Sequence, residues 1–217
     1  MKQFLLILLL SMCLFSCGTR KPLGFTNYFT DEYTGIDTLI NINGYFLVEE
    51  KCENDFYNVF MFYPNGLFTQ ASANIVDSDF ITCFTQEVGS NICKYPSWGT
   101  YEINNDTIKT QLIVDHGLIS WGKVMEFRDY LILPSKELLY ISYYCIDKNI
   151  KGCNQNPENP CPKIAQLIPL SSKRSIKDCP WINKRWFNKA NEKKIISYLH
   201  PNLIKTRRYV SVFIDNN

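Results

Sequence analysis

Short runs of aromatic and β-branched residues, separated by turn-forming residues, dominate the chain between residues 39 and 146. The run 56–63 is mostly apolar on both of its alternating faces, which predicts a strand covered on both sides. Pro64-Asn65-Gly66 predicts a turn, because proline fixes φ while asparagine and glycine accept positive φ. Residues 67–71 then return as the paired strand, and residues 44–48 predict an earlier one.

Two further hairpins follow along the chain. Residues 98–114 alternate apolar and polar positions on either side of a turn at 104–106. Residues 124–133 and 138–146 flank Pro134-Ser135-Lys136, and residues 164–170 predict a closing strand. No segment of useful length between 39 and 146 has the period of a helix. Consecutive strands at this spacing predict a mainly β fold, an antiparallel meander that closes into a barrel or half-barrel.

Two of these hairpins carry recurring motifs. One is the aromatic run around Pro64-Asn65-Gly66, and the other is Trp98-Gly99-Thr100-Tyr101-Glu102-Ile103 followed by Asn105-Asp106-Thr107-Ile108. Over roughly half of the chain they resemble lipocalin-like lipoproteins of Bacteroidetes-type bacteria. The resemblance implies a lipocalin-like barrel. It says little about function, because the shared motifs are sequences that form turns and so specify a fold, not an activity.

The first residues predict an export signal. Lys2 precedes an apolar run that is too short to span a bilayer, so residues 1–16 are interpreted as a signal peptide. Leu14-Phe15-Ser16-Cys17 resembles the lipobox of bacterial lipoproteins, which implies cleavage before Cys17 and lipidation of that residue. Gly18 in the next position implies the outer membrane, and the lack of an acidic run after it favours the periplasmic leaflet. The alternative is plain secretion, with Cys17 an ordinary thiol.

Composition suits one folded domain with an appendage. Of 217 residues, 46% are hydrophobic and 20% charged, and 13 Tyr with 14 Phe exclude a disordered chain. The formal charge of +2 indicates no nucleic-acid partner. The charge is uneven, however. Residues 173–217 hold eleven Lys or Arg against three Asp or Glu, a net of +8, whereas residues 18–172 hold eleven against eighteen, a net of −7.

These features divide the chain into four parts. After the signal peptide, residues 17–38 predict a tether with little hydrophobic period, and residues 39–172 form the β domain. Within that domain, 148–163 is a loop rich in cysteine and proline, which excludes a regular element. Residues 173–217 predict a basic tail, with a helix over Trp181–Leu199 and a final strand over Tyr209–Ile214.

Seven cysteines remain after Cys13 and Cys17 are set aside. Because the envelope is oxidising, we expect disulfides, and because seven is odd, at least one thiol is unpaired within the chain. Cys83 and Cys93 flank a short turn and are expected to pair. Another four are expected to pair among themselves around the proline-rich loop, and Cys52 is left over. Those four are Cys145, Cys153, Cys161 and Cys179.

Known catalytic motifs are missing from the sequence. Asp115-His116-Gly117 with Ser120 is the one local set that suggests a hydrolase, and we interpret it as a polar turn. Glu126, Arg128 and Asp129 predict an exposed strand face with ion pairs across strands. With two histidines and no CxxC pair, we expect neither a metal nor a cofactor.

The remaining candidates are binding residues. Four aromatic side chains are candidates to line a cavity for a small apolar ligand, as barrel interiors do, or simply to fill the barrel: Trp98, Tyr101, Trp121 and Phe127. A basic patch is a candidate for anionic lipid headgroups or an acidic envelope partner: Lys184, Arg185, Lys189, Lys193 and Lys194. The sequence thus favours a non-catalytic, lipid-anchored ligand-binding barrel. The alternatives are an interaction module with a filled barrel and, third, a hydrolase using Asp115 and His116.

Overall fold

The computed structural model describes residues 21–50, 56–85, 96–115, 123–146 and 163–190. Eight strands lie in these ranges: β1 (Gly44–Glu50), β2 (Phe56–Phe62), β3 (Leu67–Ala73), β4 (Ser97–Asn104), β5 (Thr107–Asp115), β6 (Lys123–Ile132), β7 (Leu138–Cys145) and β8 (Lys163–Pro169). Two short α-helices accompany them, α1 (Ile36–Leu39) and α2 (Ser78–Thr85), with a 3-10 helix at Ile176–Asp178.

The strands form a closed barrel in chain order. Each strand pairs antiparallel with the next, and β8 returns to pair with β1 through the register Gly44↔Pro169 to Leu47↔Gln166. The predicted meander is therefore confirmed, and it closes fully rather than remaining a half-barrel. Closure leaves no strand in the barrel with an unpaired edge, which is how such sheets avoid pairing with other chains.

The two ends of the barrel differ in their connections. At one end, here the short-turn end, β2–β3, β4–β5 and β6–β7 are joined by tight turns. Positive φ values at Gly66 (88°) and Asn105 (57°) fit the residue types that such turns favour, whereas Lys136 takes a positive φ (65°) that is uncommon for its type. At the other end, the long-connection end, residues 51–55, 74–96, 116–122 and 146–162 link the strands.

Helix α2 corrects the sequence interpretation, which expected no helix between residues 39 and 146. Asp77 Oδ1 accepts a hydrogen bond from Phe80 N at 2.7 Å and caps the first turn. Phe80 and Phe84 lie on one face, stack on each other and pack into the outer wall. Eight residues give too few turns for a clear period, so tertiary packing stabilises this helix.

Apolar side chains fill both sides of the barrel wall. On β2, Phe60 and Phe62 point inward and Val59 and Met61 outward, and all four are fully buried. This confirms the prediction of a strand covered on both faces. The inner cluster includes Phe46, Phe68, Tyr130 and the isoleucines of α1 and the segment after it. The outer cluster joins the wall to segments that wrap it.

One of those wrapping segments is the predicted tether. Phe25 and Phe29 are 1% and 3% exposed in the outer cluster, and Ile36 is buried in the inner one. Residues 21–38 are therefore packed on the barrel instead of hanging from it. Burial of the aromatic side chains holds the segment on the barrel. The sequence does not predict this packing, because the apolar residues of the segment follow no regular period.

Polar residues on the barrel wall fix this segment in place. Gln111 Oε1 accepts hydrogen bonds from the backbone N–H groups of Thr26 (3.0 Å) and Asn27 (3.2 Å). Its Nε2 donates to Thr26 Oγ1 at 2.9 Å, and Thr100 Oγ1 donates to Asn27 O at 2.7 Å. The buried backbone of the segment is thereby satisfied by side chains instead of by a ladder.

The C-terminal part of the described chain also wraps the barrel. Over residues 181–189 it forms turns, so the predicted helix at Trp181–Leu199 is wrong there; residues 191–217 lie outside the described residues. Phe29 pairs with Asn188 in a parallel bridge, with Phe29 N donating to Phe187 O at 3.0 Å and Lys189 N donating to Phe29 O at 2.8 Å. Pairing with the N-terminal segment and burial of Phe187 replace the helix.

A substitution at Gly99 tests the close approach of β4 to β5. A Cβ at this position would lie 1.7 Å from Gln111 O on the paired strand, so alanine forces the backbones apart. We expect Gly99→Ala to lower the free energy of unfolding by about 2–3 kcal/mol, measured by denaturant titration.

Glu102→Ala, at an exposed position of the same strand, is the control for this change. It should shift the free energy of unfolding by less than about 0.5 kcal/mol. Equal stability of the Gly99→Ala variant and the wild type would contradict the close approach of β4 and β5.

Candidate ligand site inside the barrel

The aromatic residues predicted to line a cavity do not come together. Trp98 and Phe127 point outward, where Trp98 stacks on Tyr63 with ring centroids 5.7 Å apart and Phe127 stacks on Tyr144 at 4.7 Å. Tyr101 points inward, and Trp121 lies outside the described residues. Trp98 and Phe127 therefore hold the outer cluster together and line no interior cavity.

Tyr101 closes the short-turn end of the barrel. Its hydroxyl donates to Tyr63 O at 2.7 Å and lies 2.6 Å from Thr34 Oγ1. Burial raises the pKa of Tyr101 well above its ordinary value, so this phenol stays neutral. Both contacts are with neighbouring elements of the fold, so Tyr101 fills the barrel instead of facing a ligand.

Aromatic rings occupy the half of the interior near the short-turn end. Phe60 contacts Phe46, Phe62 and Tyr130 with ring centroids 5.4, 5.7 and 4.8 Å apart. Phe68 lies 5.0 Å from Phe62. These distances are those of close aromatic packing, so this half of the barrel is solid.

Toward the long-connection end, the interior becomes polar. Four strands, β2, β3, β6 and β7, contribute inward-facing side chains there. We name this set the Arg128 cluster: Asn58, Gln70, Ser72, Glu126, Arg128 and Tyr143.

Arg128 lies at the centre of the cluster and is 7% exposed. Its Nη2 is 3.3 Å from Glu126 Oε2, and the Gln70 amide lies 3.1 Å from Nη1 and 3.0 Å from Nη2 with its oxygen as acceptor. The guanidinium carbon stands 5.1 Å from the centre of the Tyr143 ring and 5.9 Å from that of Tyr140. The charge is thus held by one carboxylate, one amide and two aromatic faces.

The polar contacts continue from Arg128 to the solvent. With its oxygen turned to Arg128, the Gln70 amide lies 3.1 Å from the side-chain amide of Asn58, which in turn lies 2.5 Å from Ser72 Oγ. Ser72 itself is exposed, whereas Asn58 and Gln70 are buried. A line of neighbouring polar side chains therefore leads from the surface into the interior.

The Arg128 cluster corrects the expectation that Glu126, Arg128 and Asp129 form an exposed face. The alternation of β6 turns Glu126 and Arg128 inward, and only Asp129 faces outward. A buried guanidinium is costly unless it is paired, which Glu126 and Gln70 achieve. The sequence analysis missed this site because charged residues that alternate with apolar ones suggest a solvent-exposed face. The one indication of a polar interior was Asn58, which shares the inward face of β2 with Phe60 and Phe62.

A groove of about 560 Å³ also lies outside the barrel. Its walls are Tyr45, Leu47 and Ile168 from the barrel, and Val76 and Ile81 from α2 and the segment before it. It contains none of the predicted ligand residues.

The structure assigns states to three of the cysteines. Cys83 and Cys145 form disulfides whose partners lie outside the described residues. Cys52, Cys93, Cys153 and Cys161 themselves lie outside the described residues. Cys179 is a free, buried thiol, so its predicted disulfide is wrong. It belongs to the outer cluster, where burial raises its pKa to about 12 and keeps it protonated.

The other predicted site residues are only partly described. Lys184, Arg185 and Lys189 lie in the turns that wrap the barrel, whereas Lys193 and Lys194 fall outside the described residues. So do Cys17 and the signal peptide, His116 and Ser120 of the hydrolase alternative, and the 147–162 part of the proline-rich loop.

Within the described ranges, no three His, Cys, Asp or Glu side chains are grouped so as to hold a metal ion. None of the helices in the same ranges combines the length and apolar character needed to cross a membrane. Comparisons with protein families, curated proteins and solved structures find no match for this chain.

Lys173 makes stability depend on pH. Its Nζ donates to Phe62 O at 2.9 Å near the short-turn end, and burial lowers its pKa from 10.5 to about 8. The amino group of Lys173 therefore binds its proton more tightly in the unfolded chain than in the folded chain. The stabilising contribution of Lys173 is lost as the pH falls through 8, so the part of the free energy of unfolding that depends on Lys173 should rise between about pH 8 and 10.

Lys173→Met removes this titration. Denaturant unfolding at about pH 7.5, 8.5 and 9.5 should show the wild type gaining stability relative to the variant as the pH rises. A difference that stays constant over this range would refute the assignment. The range stops below pH 10, because burial also raises the pKa values of Tyr63 and Tyr101, whose ionisation in the unfolded chain then lowers stability.

Proposed function

We propose that this protein is a non-catalytic, lipid-anchored protein of the bacterial envelope whose barrel binds a small, mostly apolar ligand. The observation that carries the proposal is the Arg128 cluster, a connected polar group inside an otherwise apolar barrel. Binding sites of this kind combine an apolar wall with a few convergent polar groups that orient the ligand.

The cluster also restricts the ligand. Arg128 supplies donors and Glu126 an acceptor, and together they are neutral. They therefore suit an uncharged hydrogen-bonding group, such as a hydroxyl or an amide, better than a second carboxylate, which Glu126 would repel. Because the other half of the barrel is solid, the ligand would enter from the long-connection end and remain there.

The filled half also favours a second candidate function. A barrel packed with Phe60, Phe62 and Phe68 can serve as a rigid scaffold whose outer surface contacts envelope partners. In this alternative the Arg128 cluster is structural and binds nothing.

Native mass spectrometry of the mature protein from mild detergent tests the ligand proposal. We expect excess mass that is lost on denaturation. Arg128→Met alone leaves Glu126 charged and unpaired, which threatens folding. The double variant Arg128→Met/Glu126→Gln removes both charges and should remain folded by circular dichroism while losing the extra mass.

Lys109→Met, at an exposed position on the outer wall, is the matched control and should keep the ligand. A wild-type protein of bare mass would favour the scaffold alternative. Ligand retained by the folded double variant would remove the Arg128 cluster from the site.

The proposed anchor has a separate test. We expect the wild type to stay with cell membranes at about 0.5 M salt, where surface electrostatics are screened and acyl chains still hold. A chain exported through an ordinary cleavable signal in place of residues 1–17 should be released by that wash. Release of both forms, or of neither, would contradict lipid anchoring through Cys17.

A further inference from the structure

The two segments that wrap the barrel bring aromatic and basic side chains together on one surface. Residues 21–29 and 181–189 meet at the Phe29–Asn188 bridge, so residues far apart in sequence become neighbours. We name this surface the aromatic–basic face: Lys21, Leu23, Tyr28, Lys123, Trp181, Trp186 and Lys189.

Ring contacts make the face continuous. Phe25 lies beneath it and touches Tyr28 (5.6 Å) and Trp186 (5.5 Å) edge-on. Trp186 in turn lies 5.8 Å from Trp181, with all distances between ring centroids. Tyr28, Trp181 and Trp186 are each half-buried, and the Nε1 edge of Trp186 is turned into the protein.

Cations converge on these rings. Lys21 Nζ lies 4.8 Å and Lys189 Nζ 5.1 Å from the centre of the same Tyr28 ring, and Lys21 Nζ also donates to the Tyr28 hydroxyl at 2.7 Å. Lys123 Nζ lies 4.4 Å from the centre of the Trp181 ring.

The sequence around the face keeps its charge positive. The two segments that form the face, residues 21–29 and 181–189, contain four Lys or Arg and no acidic residue, a net of +4.

An apolar side chain stands at the edge of the face. Leu23 is 80% exposed and lies two residues from Lys21. Half-buried tyrosine and tryptophan rings, lysines and a protruding leucine are the combination that suits the boundary between lipid headgroups and acyl chains.

We propose that the aromatic–basic face binds the surface of an anionic lipid bilayer, with the lysines on the headgroups and Leu23 at the acyl boundary. This surface acts independently of both the ligand site and the anchor at Cys17, and it is therefore present in the unlipidated chain. Each lysine near an anionic bilayer contributes attraction that falls off within a Debye length, so binding weakens with salt.

The test uses the unlipidated chain, residues 18–217, in vesicle cosedimentation. We expect binding to vesicles of equal parts phosphatidylglycerol and phosphatidylcholine, and little binding to phosphatidylcholine alone. Lys21→Gln/Lys189→Gln, which removes the two lysines at the Tyr28 ring, should weaken binding about 30-fold. Lys109→Gln/Lys136→Gln, with the same change in charge at exposed positions outside the face, should change it less than about twofold.

Leu23→Ser separates apolar contact from charge, since it should weaken binding without altering its salt dependence. Three results would overturn the proposal: no binding of the wild type to the anionic vesicles, equal losses in the two lysine pairs, or binding to a soluble polyanion such as heparin in place of vesicles. The last result would assign the face to an acidic macromolecule. None of these outcomes bears on the excess mass or the salt-resistant anchoring tested above.

Discussion

Burial of β2 on both faces is the constraint on which the rest of the structure depends. Phe60 and Phe62 fill the barrel, while Val59 and Met61 leave an apolar outer wall that water would otherwise meet. Closing the barrel solves only the inner half of this problem. The outer half requires the N-terminal segment, α2 and the C-terminal segment, so these three form part of the core.

Two groups of buried polar side chains have different roles in this structure. Gln111 and Thr100 satisfy the backbone of the N-terminal segment, and their contacts end within the fold. The Arg128 cluster instead runs from the buried guanidinium to the exposed Ser72. Both satisfy buried groups, as a stable protein must. Only the Arg128 cluster leads from the solvent into the barrel, which is why the ligand proposal rests on it.

The sequence predicted the strands well and the wrapping segments poorly. Alternation and turn residues are local, so Pro64-Asn65-Gly66 and the hairpin around Asn105 could be recognised without tertiary information. Burial of Phe25, and of Phe187 in turns instead of a helix, depends on contact with distant strands. The side of the wall on which Trp98 or Arg128 lies depends on register, and a shift of one residue exchanges inside for outside.

The Phe29–Asn188 bridge determines how mechanical load reaches the barrel. A pull on the chain ahead of Lys21 acts first on the aromatic packing of Phe25 and Phe29 and on the two hydrogen bonds of the bridge. Strand β1 begins at Gly44 and feels this force only after those contacts part. The N-terminal segment therefore protects the pairing of β1 with β8 from a force applied to the N-terminal end, because the contacts of the segment must break first.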